Sequence, residues 1–166
     1  FTLNNFTGQT VVGTSTNAYY GMDFDPMGTT LYAINDTTDQ LGTIDLTTGA
    51  FTGLVSCPPA GGAANWTGLS IDPVTGTFYA STPVNLYTID PATGASTLVG
   101  PFVNSTLMID IAVSPTGAMY GHDISTDSIY TIDTTTGTAT LVGPTGFAAN
   151  YAQGMDCANG DGTLYI

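Results

Sequence analysis

Thirteen carboxylates, all Asp, one imidazole and two thiols carry most of the proton and ligand chemistry available to this 166-residue chain. Asp23 and Asp156 occupy the same place in the related stretches GMDF and GMDC, and Asp110 stands two residues earlier in its own unit, MIDIAV. Carboxylates that converge with no cationic side chain repel one another, so the chemistry expected of these three is binding of Ca2+ or another hard cation, with hydrated or turn-bonded carboxylates as the competing reading. No contiguous D-x-[DN]-x-[DN]-G loop accompanies them. Two carboxylates would also suffice for a glycosidase, but a chain without Glu or any basic side chain suits that chemistry poorly.

The remaining candidates are aromatic, nitrogenous or sulfur-bearing. Tyr19, Tyr20, Trp66 and Tyr151 recur just before equivalent strands, where a ring of aromatics beside Asn and Asp would stack on sugars, or else pack between repeats. His122, followed by Asp123, is the single ordinary base near neutral pH, and no nucleophile elbow lies beside it, so a structural or solvent-exposed role is expected. Glycosylation acceptors of the form Asn-x-Ser/Thr occur at Asn5, Asn35, Asn65 and Asn104. Cys57 and Cys157 permit one disulfide, although the repeat alignment places Cys157 at a core position and Cys57 in a loop, which favours two separate thiols.

With no Lys or Arg and a formal charge of −13, nothing neutralises phosphate, which excludes nucleic-acid binding and polybasic contact with anionic lipid. The same absence removes Schiff-base chemistry and Arg clamps on phosphate or carboxylate. No cofactor is required, and Ca2+ at the three carboxylates is the one candidate. No apolar run approaches the roughly 20 residues of a spanning helix, so direct membrane insertion is not expected. The chain opens on Phe1 without a charged-then-apolar leader, as a processed chain or a piece of a longer one would. Sequons, a sequence offering trypsin-like proteases no site, and abundant Thr that could carry O-linked sugars together point to a secreted, extracellular or cell-surface location.

The elements that must position these residues come from an internal repeat. Leu3-Asn-Asn-Phe-Thr-Gly, Ile44-Asp-Leu-Thr-Thr-Gly, Ile89-Asp-Pro-Ala-Thr-Gly and Ile132-Asp-Thr-Thr-Thr-Gly are spaced by 41, 45 and 43 residues, and each precedes a short strand ending VVG, LVS or LVG. Asp-Pro or Ser-Pro turns at Asp25, Asp72 and Ser114 mark a second hairpin in each full unit. In ID-x-x-TG the Asp can accept backbone N–H groups and the Gly can take positive φ, so Asp45, Asp90 and Asp133 read as turn residues first. Four short strands per unit and no helical periodicity predict an all-β β-propeller of four-stranded antiparallel blades. Residues 1–166 form one propeller domain or propeller fragment with four blades' worth of strands. Whole blades are expected over about 18–56, 66–100 and 108–143, and the terminal blade is split between 1–13 and 152–166.

Three closures remain open. The split halves could join within one chain, complete each other between chains in rings or filaments, or belong to a longer propeller. The LYxID–xTG–LVG pattern resembles secreted bacterial propeller repeats of large surface and exported proteins, related in appearance to YVTN and quinoprotein-like propellers. That resemblance implies an extracellular modular protein; the basic residues that would hold a quinone cofactor are missing, so dehydrogenase activity is not carried over. The function expected is a non-enzymatic structural or adhesive surface module that assembles through its split blade. Its partners would be copies of itself, other surface proteins or glycans. The alternatives are a glycan-binding, lectin-like propeller and an Asp-based carbohydrate-active enzyme.

Overall fold

The computed structural model describes residues 11–13, 17–62, 65–150, 154–158 and 160–166. Alternating apolar residues and β-branched Thr build short strands, and the Asp, Pro and Gly positions turn them back on themselves. The first sheet comprises β1 (Tyr19–Phe24), β2 (Leu31–Asn35), β3 (Gln40–Ile44) and β4 (Phe51–Ser56). The second contains β5 (Gly68–Ile71), β6 (Phe78–Ser81), β7 (Asn85–Ile89) and β8 (Ser96–Pro101), and the third β9 (Met108–Val113), β10 (Met119–Asp123), β11 (Ser128–Ile132) and β12 (Ala139–Pro144). Each is an antiparallel meander in sequence order, followed by a two-stranded hairpin of β13 (Asp156–Cys157) and β14 (Leu164–Tyr165). The described residues include no helix.

The outer turns repeat the same chemistry. Asp45 Oδ1 accepts the Thr47 and Thr48 N–H groups at 2.8 and 2.9 Å, while Gly49, at φ +68°, donates its N–H to the Asp45 carbonyl at 2.7 Å. Gly94 and Gly137 close onto the Asp90 and Asp133 carbonyls in the same way, at 2.7 and 2.8 Å. Because these carboxylates accept N–H and Thr hydroxyl donors, they ionise easily: the Thr47 hydroxyl and N–H hold Asp45 down at about 2. In the inner turns Gly28, Gly76 and Gly117 close onto Asp25, Asp72 and Ser114.

The first strand of each sheet lies innermost and the fourth outermost. β5 and β9 are buried along their whole length, whereas β4, β8 and β12 are largely exposed. β1, β5, β9 and β13 pack against one another in sequence order without pairing into a common sheet. Apolar clusters fill the space between successive sheets. Ile34 and Leu41 meet Trp66, Leu69, Phe78 and Tyr87 in the first, and Leu86 meets Met108, Ile111, Met119 and Tyr130 in the second. Ala112 meets Met155 and Cys157 in the third.

This packing decides two readings that the sequence leaves open, against a disulfide and against Trp66 as a ligand-stacking ring. Cys57 and Cys157 are both buried and free, the first in the cluster between the first two sheets and the second against the last hairpin, so they form no disulfide. Trp66 is 1% exposed: its indole stands edge-on to Tyr87 at 5.3 Å and its Nε1 donates to the Cys57 carbonyl at 2.8 Å. It is a packing residue between blades and presents no face to a ligand.

Close approach of the inner strands demands a small residue at Gly68, where a β-carbon would collide with the Asp110 carboxylate and lie 2.8 Å from Ser81 Oγ and 3.0 Å from Ile111 N. Gly68→Ala is expected to destabilise the fold by about 1–3 kcal/mol, the usual cost of overpacking, while Gly160→Ala, where a β-carbon would meet nothing within 4 Å and the backbone is not left-handed, loses less. Urea unfolding midpoints of the two variants check this.

Candidate functional site: the axial carboxylates and the cleft beside β13

Asp23, Asp110 and Asp156 do project from the inner strands, and each is engaged by backbone. Asp23 Oδ1 accepts the N–H of Phe24 at 2.7 Å, and its Oδ2 reaches the next inner strand to accept Ile71 N–H at 2.7 Å and Ser70 Oγ–H at 3.0 Å. Ser70 occupies the position of Asp23 in the second sheet and repeats the link one blade on, its Oγ accepting Val113 N–H at 3.0 Å. Asp110 accepts Ile111 N–H through Oδ1 at 2.8 Å and Met155 N–H through Oδ2 at 2.7 Å. Asp156 accepts the N–H of Cys157 at 2.7 Å. The first three side chains therefore fasten each inner strand to the next, in the order β1 to β5 to β9 to β13.

Burial and like charge act on these carboxylates together. Burial pushes Asp23 up to about 6 against the opposing Ile71 hydrogen bond, and the neighbouring Asp156 raises it further. Asp110, 5% exposed, lies well above the ordinary carboxylate value because of burial, with Asp23 and Asp156 adding repulsion. Burial also raises Asp156. Among the described residues no group of three or more His, Cys, Asp or Glu is arranged to hold a metal ion.

The aromatic candidates separate. Tyr19 is half-buried and tilted against Phe51 at 5.2 Å, and Tyr20 is 37% exposed. Both line a cleft of about 310 Å3 with Met22, Asp110, Gly154–Asp156, Tyr165 and Ile166. Trp66 is not part of it, and Tyr151 lies outside the described residues. Tyr165 and Ile166 carry no signal in the sequence, because only the fold brings the last hairpin alongside β1. Ser70 has one that sequence reasoning passed over, its alignment with Asp23 in GLSIDP and GMDFDP.

The other candidates have structural settings. His122 is 2% exposed, with Nε2 lacking a partner, and burial lowers its pKa against the pull of Asp127 and Asp123. Asp123, fully buried, stays ionised despite burial because the Ser125 and Ser105 hydroxyls and the Thr106 N–H bond to it. Its links to Ser105 Oγ at 2.7 Å and Thr106 N at 2.9 Å fasten the loop entering the third sheet. Asn35 is 2% exposed and its Oδ1 accepts Thr37 N–H at 3.0 Å; as a buried turn residue it is not an open glycan acceptor, which corrects that expectation. Asn65 and Asn104 are exposed, and Asn5 lies outside the described residues.

Four-stranded meanders whose first strands converge around an axis define a β-propeller. The chain belongs to the family described as DUF6923, a repeat of unknown function, which matches residues 2–166. No curated protein matches it significantly. Similar solved structures include a structural-genomics protein from Bacteroides thetaiotaomicron (TM-score 0.67, 16% identity, 90% of this chain and 46% of that one). A nidogen–laminin complex structure is also similar (TM-score 0.59, 17% identity, 80% and 50%), as is virginiamycin B lyase from Staphylococcus aureus (TM-score 0.53, 17% identity, 76% and 41%). The chain spans half or less of the length of these relatives. At such identities the likeness is one of fold. The family match and the similar solved structures together support a propeller repeat and no finer subtype of it.

The carboxylates set a pH profile. Groups raised in the fold, Asp23 to about 6 with Asp110 and Asp156, bind protons more tightly when folded, so stability falls as pH rises through the folded values and is recovered on acidification. Groups lowered in the fold, Asp45 at about 2 with Asp123, Asp90 and Asp133, lose their contribution as pH drops below the unfolded value near 3.8. Thermal melting should therefore peak between about pH 4 and 5, several degrees above its value at pH 8. Asp23→Asn should flatten the alkaline limb, as scanning calorimetry across pH would show.

Proposed function

We propose that the domain is a non-enzymatic structural or adhesive module of an extracellular or cell-surface protein. The observation that carries this reading is the character of its outer rim. The outermost strands β4, β8 and β12 contain no charged residue, and each exposes a leucine just before a valine: Leu54 at 52%, Leu98 at 51% and Leu141 at 59%. Such edges offer unpaired backbone groups beside apolar side chains, features that favour contact with other copies or other surface molecules and that soluble proteins usually suppress with charge. The carboxylates add support, because Asp23 and Asp110 fasten strands while Asp45, Asp90 and Asp133 cap turns. Replacing all three rim leucines with Asp should leave thermal stability nearly unchanged, since each is about half exposed. It should weaken self-association in sedimentation, or attachment to the surface of producing cells, by about tenfold or more. Undiminished association and attachment would remove the rim from the mechanism.

A second reading, a glycan-binding propeller, is favoured by the cleft in which Tyr19, Tyr20 and Tyr165 surround Asp110 and Asp156. Stacking rings with acceptors at their edge suit a neutral sugar. Binding on a glycan array that disappears in Tyr20→Ala, with folding intact, would establish it. A silent array leaves the rim reading in place.

A further inference from the structure

The cleft beside β13 lies at one end of the propeller axis, where β1 and β13 begin alongside β9. Its lining brings exposed rings and carboxylates together. Tyr20 and Tyr165 are 37% and 45% exposed, Met22 and Asp156 are exposed as well, and Asp110 is buried. A β-carbon built on Gly154 would meet no described residue within 4 Å, so the lining is uncrowded there. Asp156 also lines a second cavity, of about 40 Å3, with Asp23 and Asp25. It therefore stands between the wider cleft and a space with room for a few water molecules but no organic body.

No side chain of this protein balances the charge gathered here. Asp156 raises the proton affinity of Asp23, and both raise that of Asp110. The sequence has no Lys or Arg, and His122, opposite Asp110 across the β9–β10 pair, is held neutral by burial. A cation from outside would relieve the repulsion. A bare metal ion is poorly served, because Asp110 accepts Ile111 N–H through Oδ1 and Met155 N–H through Oδ2. Among the described residues no group of three or more ligating side chains is arranged to hold one. An ammonium asks less of the site, since each of its N–H donors needs a single lone pair, and an ionised carboxylate has about four. Asp156 accepts one N–H, from Cys157 at 2.7 Å.

We propose that this cleft binds an amino sugar with a free ammonium group, its pyranose ring against Tyr20 and Tyr165 and its ammonium donating to Asp156. The inference rests on the glycan-binding reading of the cleft and adds the charge that the sugar must carry. Phenol rings attract both the C–H face of a pyranose and a neighbouring ammonium, so one set of side chains serves both parts of the ligand. The cleft of about 310 Å3 accepts the ring, and the small space beyond Asp156 does not, which sets the direction in which the sugar enters. An N-acetylated sugar presents the same ring with a neutral amide and leaves the carboxylates unrelieved. A lysine side chain supplies the ammonium on a slender stem that offers the rings no flat face.

Chitobiose in its fully deacetylated and its diacetylated forms separates charge from shape, since the two differ only at nitrogen. Titration calorimetry near pH 6.5, where weakly basic amines are protonated, is expected to show the deacetylated form binding about tenfold or more tighter. Raising salt from about 0.05 to 0.5 M should weaken that binding severalfold and leave the acetylated form nearly unaffected. Asp156→Asn, which keeps an acceptor for Cys157 N–H, should erase the preference, whereas Tyr20→Ala should weaken both sugars; circular dichroism checks that each variant is folded. Equal or tighter binding of the acetylated form overturns the ammonium and leaves the glycan reading standing. A preference that survives Asp156→Asn overturns the assigned contact, and lysine amide binding as tightly as the amino disaccharide overturns the sugar. Binding of neither disaccharide overturns the inference, and the glycan array then decides the wider reading separately.

Discussion

The inner strands of this propeller touch but do not pair, and what fastens them is a side-chain oxygen reaching across each gap to a backbone N–H. Asp23 does this from β1 to Ile71, Ser70 from β5 to Val113, and Asp110 from β9 to Met155. A buried N–H left without a partner costs about 1–3 kcal/mol, so each link both satisfies a donor and sets how one blade sits on the next. Apolar packing between sheets supplies bulk attraction, but it is non-directional and tolerates sliding. The links convert that attraction into a fixed blade-to-blade relation.

That arrangement carries an electrostatic tension, because carboxylates gathered near one axis in a chain with no Lys or Arg cannot be relieved by ion pairs. The structure meets it with backbone and hydroxyl donors. At Ser70 a neutral oxygen performs the same linkage as Asp23, which keeps one charge out of the crowded axis. At the periphery the same residue type has the opposite character: Asp45, Asp90 and Asp133 accept N–H and Thr hydroxyl donors in exposed turns and ionise readily. The high Thr content follows in part from this, since Thr at the turns donates to carboxylates and elsewhere suits the strand backbone.

Closure is the counterpart of fastening. A chain of blades joined in order leaves its first and last members with one uncovered flank each, and here the last member also lacks its outer half among the described residues. Half-buried Ile129 is a consequence of that incomplete blade, since Leu41 and Leu86, at the same position in the earlier sheets, are covered by the sheet that follows.

Repetition makes the architecture readable. The ID-x-x-TG and Asp-Pro signals are local: they act through hydrogen bonds within a few residues and through the positive φ open to Gly, so the four-strand repeat, the turn positions and the sheet order of the three complete blades are legible in the amino-acid sequence. The roles of individual side chains are not, because they depend on what stands opposite. Trp66 has the sequence setting of a sugar-stacking ring and is a core residue, since its indole falls between two sheets and donates to Cys57. Asn35 has the motif of a glycan acceptor, but its amide is turned inward to cap a turn. Asp23, Asp110 and Asp156 are recognisable as axial from the repeat, yet their partners are backbone donors, two of them on neighbouring blades. Local sequence determines which turns and strands form; which oxygen meets which N–H across a gap is decided only when distant repeats are brought side by side.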